Sequence, residues 1–192
     1  MKIINFSTES LILEPKNLNM AKRFISSKLG KIFIISLLLI TYIGCDTDTT
    51  PVVPEVPVYI ELSLTSDLAY LGTDMVVSVY PDSINENYTI IDYHNPKFPK
   101  KRITYKTYGN GVLIYQRGID DFQAFDATCT YRAYDDYCKL SIDSAGWKGV
   151  CPCCGSEFML ITDGAPTNIS KAYKPLMQYQ TTLRSNYLII SK

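Results

Sequence analysis

The stretch CPCCGSEFMLITDG, residues 151 to 164, places three cysteines directly before a run that is typical of a β-strand. Cys151, Cys153 and Cys154 are interrupted only by Pro152, and Gly155 closes the group. Cysteines at this spacing indicate metal ligands, disulfide halves or a redox pair rather than ordinary core packing. The compartment of the protein and the other residues near the cysteines decide between these chemistries.

The first 45 residues have the features of a bacterial signal peptide. They carry six Lys or Arg against two Glu, and a mainly apolar run of twelve residues extends from Ile32 to Ile43. Such a run is short for a membrane span and has the length of a signal-peptide core. It ends in Gly44-Cys45, which resembles the lipobox of bacterial lipoproteins. We therefore predict a signal peptide over residues 1–45, with Met20 as the preferred start, and lipidation of Cys45.

Residues 46–57 are rich in Pro, Thr and Asp, which predicts an extended tether between the lipid and a folded domain. The expected partner is thus a membrane, reached through the lipid anchor in the bacterial cell envelope, and we favour the outer over the inner membrane. After residue 45 the chain has thirteen basic and seventeen acidic residues, a net charge of −4. A mildly acidic surface gives no reason to expect nucleic acid as a partner.

Residues 58–192 have the pattern of an all-β domain. Short runs rich in Val, Ile, Tyr and Phe are separated by Gly, Asn and Asp turn formers. The predicted strands are VYIELSL, MVVSVY, ITYKTY, GVLIYQ, FQAFDA, CKLSID, EFMLI and YLIIS, at residues 58–64, 75–80, 103–108, 111–116, 122–127, 138–143, 157–161 and 187–191. Residues 80–102 lack such a pattern and predict a long loop. All cysteines after Cys45 lie between residues 129 and 154, in a predicted cysteine-loop subdomain at about residues 120–165.

Three segments together resemble the Rieske iron–sulfur domain family. They are GNGVLIYQRGIDDFQAFDATCTY at residues 109–131, CPCCGSEFMLITDGAPT at 151–167, and PLMQYQTTLRSNYLIIS at 175–191. The family's first loop has the pattern Cys-x-His, and its second has Cys-x-x-His-Gly-Ser-x-Phe, followed by a strand, Asp-Gly and a returning strand. The resemblance covers about residues 103–191, and it implies antiparallel sheets with a small cluster-binding subdomain that carries two cysteine loops.

The resemblance also implies roles for individual residues. The cluster cysteines of the family correspond to Cys129 and Cys151, and its two histidines correspond to Tyr131 and Cys154. A disulfide that joins the two loops in some members would here connect Cys138 with Cys153. The second-loop frame is retained at Gly155, Ser156, Phe158 and Gly164.

The chain departs from the family at the histidines. A Rieske cluster needs two imidazoles on one iron, whereas this chain has one histidine, His94, within the predicted loop. An ordinary Rieske centre is therefore excluded, and we expect His94 to be a surface loop residue without a role at the site.

Three interpretations of the cysteines remain. An all-thiolate site of Cys129, Cys138, Cys151 and Cys154 would hold a [2Fe–2S] cluster or zinc. Alternatively, disulfides such as Cys138–Cys153 staple the loops without metal, as oxidising compartments allow. Disulfide exchange with a partner ranks last, because the redox enzymes with Cys-x-x-Cys place it at a helix start in an α/β fold.

We prefer the iron–sulfur interpretation, which predicts an electron carrier with an unidentified redox partner. The alternative is a binding or structural lipoprotein with a zinc or disulfide staple. The sequence shows no Ser-His-Asp set, phosphate loop or carboxylate pair, so no catalytic residues are predicted.

Overall fold

The computed structural model describes residues 51–143 and 145–192, and the regular secondary structure of these residues is almost entirely β-strand. The strands are β1 (Tyr59–Ser63), β2 (Met75–Pro81), β3 (Thr89–Asp92), β4 (Lys101–Ile103), β5 (Val112–Gly118), β6 (Asp121–Asp126), β7 (Ser141–Ile142), β8 (Lys148–Val150), β9 (Glu157–Met159), β10 (Ala165–Pro166), β11 (Gln178–Arg184) and β12 (Tyr187–Ser191). One helical turn, α1, spans Ala133–Asp136, and a 3-10 helix spans Leu160–Thr162. No helix in this part of the chain is long and apolar enough to cross a membrane.

The strands form two antiparallel sheets. The large sheet has the order β1-β12-β11-β6-β5-β2-β3-β4, and the small sheet has the order β10-β9-β8-β7. The small sheet contains the strands that flank the second cysteine loop. The predicted all-β class, with its cysteines gathered in a subdomain, is confirmed.

The strands β2, β5 and β6 form a wall with two apolar faces. Because successive side chains of a strand point to opposite faces, Val77 and Ile114 enter one core, whereas Val76 and Leu113 enter the other. The first core lies within the large sheet and includes Leu62, Ile91, Leu188 and Ile190. The second core lies against the small sheet and the cysteine loops, and it includes Phe125, Leu140, Phe158 and Leu160. The second face of this wall therefore supports the cysteine loops.

Two predictions for the edge of the large sheet were wrong. The predicted loop at residues 80–102 contains the hairpin β3–β4, in which Ile91 is fully buried and pairs with Val79. The predicted strand at residues 103–108 ends after its first residue. The hydroxyl of Thr89 donates to the carbonyl of Tyr105 at 2.7 Å, so a side chain rather than a strand partner satisfies this carbonyl.

Residues 51–57 pack against the domain instead of extending from it. Val53 is buried, and the Tyr134 hydroxyl donates to the carbonyls of Pro51 and Val53 at 3.1 and 3.3 Å. Glu55 forms an ion pair with Lys192 at 3.0 Å. The predicted signal peptide, Cys45 and the first part of the tether lie outside the described residues.

Candidate metal centre

The two cysteine loops come from different elements of the fold. Cys129 follows β6. Its backbone N–H donates to the carbonyl of Cys138 at 2.9 Å, and this hydrogen bond pairs the two segments. Cys151 and Cys154 lie in the turn between β8 and β9. This turn is closed by hydrogen bonds from Cys151 N to Ser156 O at 2.8 Å and from Gly155 N to Cys151 O at 2.9 Å. Gly155 has a φ of 74°, a conformation that glycine adopts without strain.

Three thiols converge between these loops. The sulfurs of Cys129, Cys151 and Cys154 all lie within 4.8 Å of one another, and Cys129 Sγ is 3.7 Å from Cys154 Sγ. In a tetrahedral site with metal–sulfur bonds of about 2.3 Å, neighbouring sulfurs lie about 3.8 Å apart. Cys129 and Cys151 are buried and Cys154 is half-buried. The donor set therefore fits a thiolate metal centre, with three ligands from this chain and one position for a fourth.

The fourth predicted ligand is not available as a thiolate. Cys138 forms a disulfide bond with Cys153, with Cα atoms 6.4 Å apart. The structure thus differs from the predicted four-thiolate set at Cys138, because its sulfur is bonded to another sulfur. The bond joins the two loops through the pair of residues that the family resemblance implied.

The pKa values of the Cys129 and Cys154 thiols are shifted in opposite directions. Burial raises the pKa of Cys129, and the adjacent thiols of Cys151 and Cys154 raise it further. Burial acts in the same direction on Cys154, but hydrogen bonds from the Ser156 hydroxyl and backbone N–H outweigh it and lower the Cys154 pKa. Cys154 is therefore the thiol of this pair that ionises more readily, and an ionised thiol is the form that binds metal.

Ser156 is fixed as a hydrogen-bond donor to Cys154. Its buried hydroxyl oxygen accepts the backbone N–H groups of Lys171 and Ala172 at 3.1 and 3.0 Å. Cys154 Sγ lies 3.1 Å from the same oxygen. Because the two N–H groups occupy the lone pairs of the oxygen, the hydroxyl hydrogen is directed to the sulfur when Cys154 is ionised. The sequence indicates Ser156 only as part of the loop frame, because its partners lie 15 and 16 residues further along the chain.

The two positions that hold histidine in the resembled family differ in this fold. Cys154 belongs to the group of three thiols. Tyr131 is half-buried against the second core, and its backbone N–H donates to the Cys129 sulfur. That hydrogen bond stabilises the thiolate form of Cys129 against the effect of burial.

His94 belongs to a separate polar cluster on the large sheet. Its Nε2 lies 2.6 Å from the Ser78 hydroxyl, and its backbone N–H donates to Asp92 at 3.0 Å. His94 is exposed, as predicted for a surface loop residue, but the protein atoms around its ring partly desolvate it and lower its pKa, with a further contribution from Lys100 and Lys139. Lys139 itself lies over the ring of Tyr80, 3.4 Å from its centre, and burial lowers the Lys139 pKa to about 8. Residue spacing does not indicate this cluster, because its members are distant along the chain.

No protein-family model and no curated protein matches the sequence. Among solved structures, the fold is similar to the ferredoxin of carbazole 1,9a-dioxygenase from Nocardioides aromaticivorans IC177, with a TM-score of 0.38 and 14% identity over 71% of this chain and 98% of the other.

It is also similar to a chain in the complex of reduced oxygenase and oxidized ferredoxin in carbazole 1,9a-dioxygenase. This match has a TM-score of 0.36 and 15% identity, over 71% of this chain and 94% of the other. Neither likeness is close enough to assign a family or a function to the chain.

Proposed function

We propose that Cys129, Cys151 and Cys154 hold a metal centre, and that the protein is an electron carrier anchored by lipid to the bacterial cell envelope. The observation that carries this proposal is the convergence of three sulfurs from two loops within 4.8 Å. The resemblance of both loops to Rieske sequences favours iron with inorganic sulfide. Such a centre would supply one-electron transfer, with a potential in the range of cysteine-ligated clusters.

The protein's own residues prepare the site for this role. Both loops supply thiols to the group, and a disulfide from Cys138 joins the loops. Ser156 and the backbone N–H of Tyr131 donate hydrogen bonds to two of the sulfurs, which stabilises the thiolate form that metal binding requires. A [2Fe–2S] cluster needs a fourth ligand, and Tyr131 occupies the corresponding family position.

A second candidate is a mononuclear zinc staple, which the 3.7 Å separation of two sulfurs favours. Metal analysis and an absorption spectrum of the anaerobically purified protein separate the two. Iron with inorganic sulfide and a visible chromophore supports the electron carrier, and stoichiometric zinc without colour supports the staple. A protein that binds neither metal would contradict the proposed centre.

The lipid anchor would place the cysteine loops near a membrane surface. Six residue steps separate Cys45 from Pro51, so these two residues can lie at most about 22 Å apart. The carbonyl of Pro51 accepts a hydrogen bond from the Tyr134 hydroxyl. Tyr134 belongs to α1, which lies between Cys129 and Cys151 in the sequence. We therefore propose a redox partner in or on the same membrane.

The anchor is tested by metabolic labelling with a fatty acid. The wild-type chain should incorporate the label, and Cys45→Ser should not, because the acylated sulfur is missing. Equal labelling of both proteins would contradict the lipoprotein assignment without affecting the proposed metal centre.

A further inference from the structure

Five sulfurs form one continuous group in this structure. Besides the three free thiols, a second set consists of Cys138, Cys151 and Cys153, whose sulfurs also lie within 4.8 Å of one another. Cys151 is common to both sets, so its sulfur lies within 4.8 Å of two thiols and of both atoms of the disulfide. A free thiol beside a disulfide has the components of a thiol–disulfide exchange reaction.

We propose that Cys151 exchanges with the Cys138–Cys153 disulfide when no metal is bound, and that metal binding suppresses this exchange. The second half of the proposal rests on the proposed metal centre, whereas the first half does not. Rotation of the side chains about χ1 is the motion needed to bring the attacking sulfur into contact with the disulfide.

The reaction is an exchange of one disulfide for another without net oxidation or reduction. The thiolate of Cys151 attacks Cys138 Sγ, so a Cys151–Cys138 bond forms. The Cys138–Cys153 bond breaks, and its electron pair leaves on the sulfur of Cys153. The proton that Cys151 lost to solvent is balanced by the proton that the Cys153 thiolate takes up.

The burial of the two disulfide halves determines which one leaves. Cys153 is exposed, whereas Cys138 and Cys151 are buried. Departure from Cys153 therefore moves the negative charge from the buried Cys151 to a hydrated sulfur, whereas departure from Cys138 would leave it unpaired and buried. In addition, a Cys151–Cys153 bond would close a strained ring across Pro152 alone. The favoured product therefore has a Cys138–Cys151 disulfide and an exposed Cys153 thiol.

Metal and exchange compete for the same sulfur. A Cys151 thiolate bound to metal is no longer the attacking nucleophile, and a Cys151 in a disulfide is no longer a ligand. The site thus has two exclusive states, and the solvent exposure of a free Cys153 thiol reports which state is occupied.

The exchange is tested by alkylation of the purified full chain with N-ethylmaleimide under anaerobic conditions, followed by peptide mapping of labels and disulfides. Metal-free wild type should acquire label at Cys153 together with a Cys138–Cys151 disulfide. Zinc should reduce the Cys153 label about tenfold, because it occupies the nucleophile. An unlabelled Cys153 with an intact Cys138–Cys153 bond in the metal-free protein would overturn the proposal.

Two variants identify the nucleophile. Cys151→Ser should leave Cys153 unlabelled with or without zinc, whereas Cys129→Ser should retain labelling of the metal-free protein. Label at Cys153 in Cys151→Ser equal to that of the wild type would show that another event opens the disulfide, and would overturn the role of Cys151. If zinc does not bind the wild type, the zinc form of the metal centre is wrong and the iron-loaded protein takes its place in the comparison, while labelling of the metal-free wild type still decides the exchange.

Discussion

The two faces of the β2–β5–β6 wall support regions of different construction. On one face, long paired strands surround an aliphatic core, as in the five-residue pairing of β2 with β5. On the other face, the small sheet has strands of two or three residues. There the backbone is held by the disulfide and by side-chain hydrogen bonds such as those of Ser156. Reactive groups thus lie on irregular loops whose position is fixed by a regular scaffold.

The largest loss of stability is expected at Gly111, where the scaffold leaves no space for a side chain. Gly111 has a φ of 90°, and a Cβ at this position would lie 2.3 Å from the carbonyl oxygen of Val79. Gly111→Ala should therefore reduce the free energy of unfolding by about 4 kcal/mol, from backbone strain and steric overlap together. Urea denaturation of the purified variant measures this loss.

Gly155→Ala is the matched control in the cysteine loop. Its φ is also positive, at 74°, but nothing lies within 4 Å of an added Cβ. The cost should be only the conformational strain of about 1 kcal/mol. If the two variants lose equal stability, the contrast between a tightly packed scaffold and an open loop is wrong.

The next effect concerns the disulfide. Replacement of both Cys138 and Cys153 by Ser removes a bond across a sequence separation of 15, which should cost about 3 kcal/mol. Hydrogen exchange should rise in both cysteine loops and change little in β2 and β5. The double variant should still bind metal, because the three remaining thiols are intact. Loss of metal from a folded double variant would instead support Cys138 as a ligand, as the sequence predicted.

The sequence predicted the scaffold better than its edge. β5 and β6 are runs rich in apolar residues between clear turn formers, and both were located closely. The hairpin β3–β4 was missed because Pro96, Pro99 and several lysines interrupt its pattern, while its buried residues, such as Ile91, are few. Burial of those few side chains by the first core decides the pairing, and a local pattern does not contain that information.

At the site, the sequence identified the cysteines but not their division into three free thiols and a disulfide pair. Spacing alone allowed Cys138 to be a ligand, and only the family resemblance indicated its pairing with Cys153. The roles of Ser156 and of the cluster around His94 depend on contacts between distant segments. Such contacts follow from the tertiary packing and leave no mark in residue spacing.

A smaller effect should distinguish two serines in the cysteine region. Ser156→Ala leaves the N–H groups of Lys171 and Ala172 without their acceptor, which should cost about 2 kcal/mol. It should also raise the Cys154 pKa, because the hydrogen bond that favours the thiolate is lost. The pH dependence of the alkylation rate of Cys154 in the metal-free protein measures this change.

Ser170→Ala is the matched control for Ser156→Ala. The Ser170 hydroxyl bonds both the N–H and the carbonyl of Glu157, at 2.8 and 2.7 Å, and supports the same loop. It should lower stability without changing the Cys154 pKa. If both variants shift that pKa equally, general loosening of the loop explains the shift, and Ser156 is not a specific donor.

The smallest change in stability is expected at His94, which lies in the scaffold. Partial desolvation, together with Lys100 and Lys139, lowers the His94 pKa in the folded state below its ordinary value of 6.5, while Asp92 opposes this. As pH falls from neutral, the unfolded chain takes up a proton at this residue before the folded chain does, so folding stability decreases until the folded pKa is passed. His94→Asn should remove this decline, because Asn does not titrate and tolerates the φ of 53°.

The same variant separates the scaffold from the site. Loss of the hydrogen bond between His94 and Ser78 should cost about 1 kcal/mol at neutral pH, and urea denaturation between pH 5 and 8 resolves both effects. Metal content should not change, because His94 belongs to neither group of converging sulfurs. A variant that folds but loses its metal would show that an imidazole reaches the site, and the all-cysteine centre would then have to be abandoned.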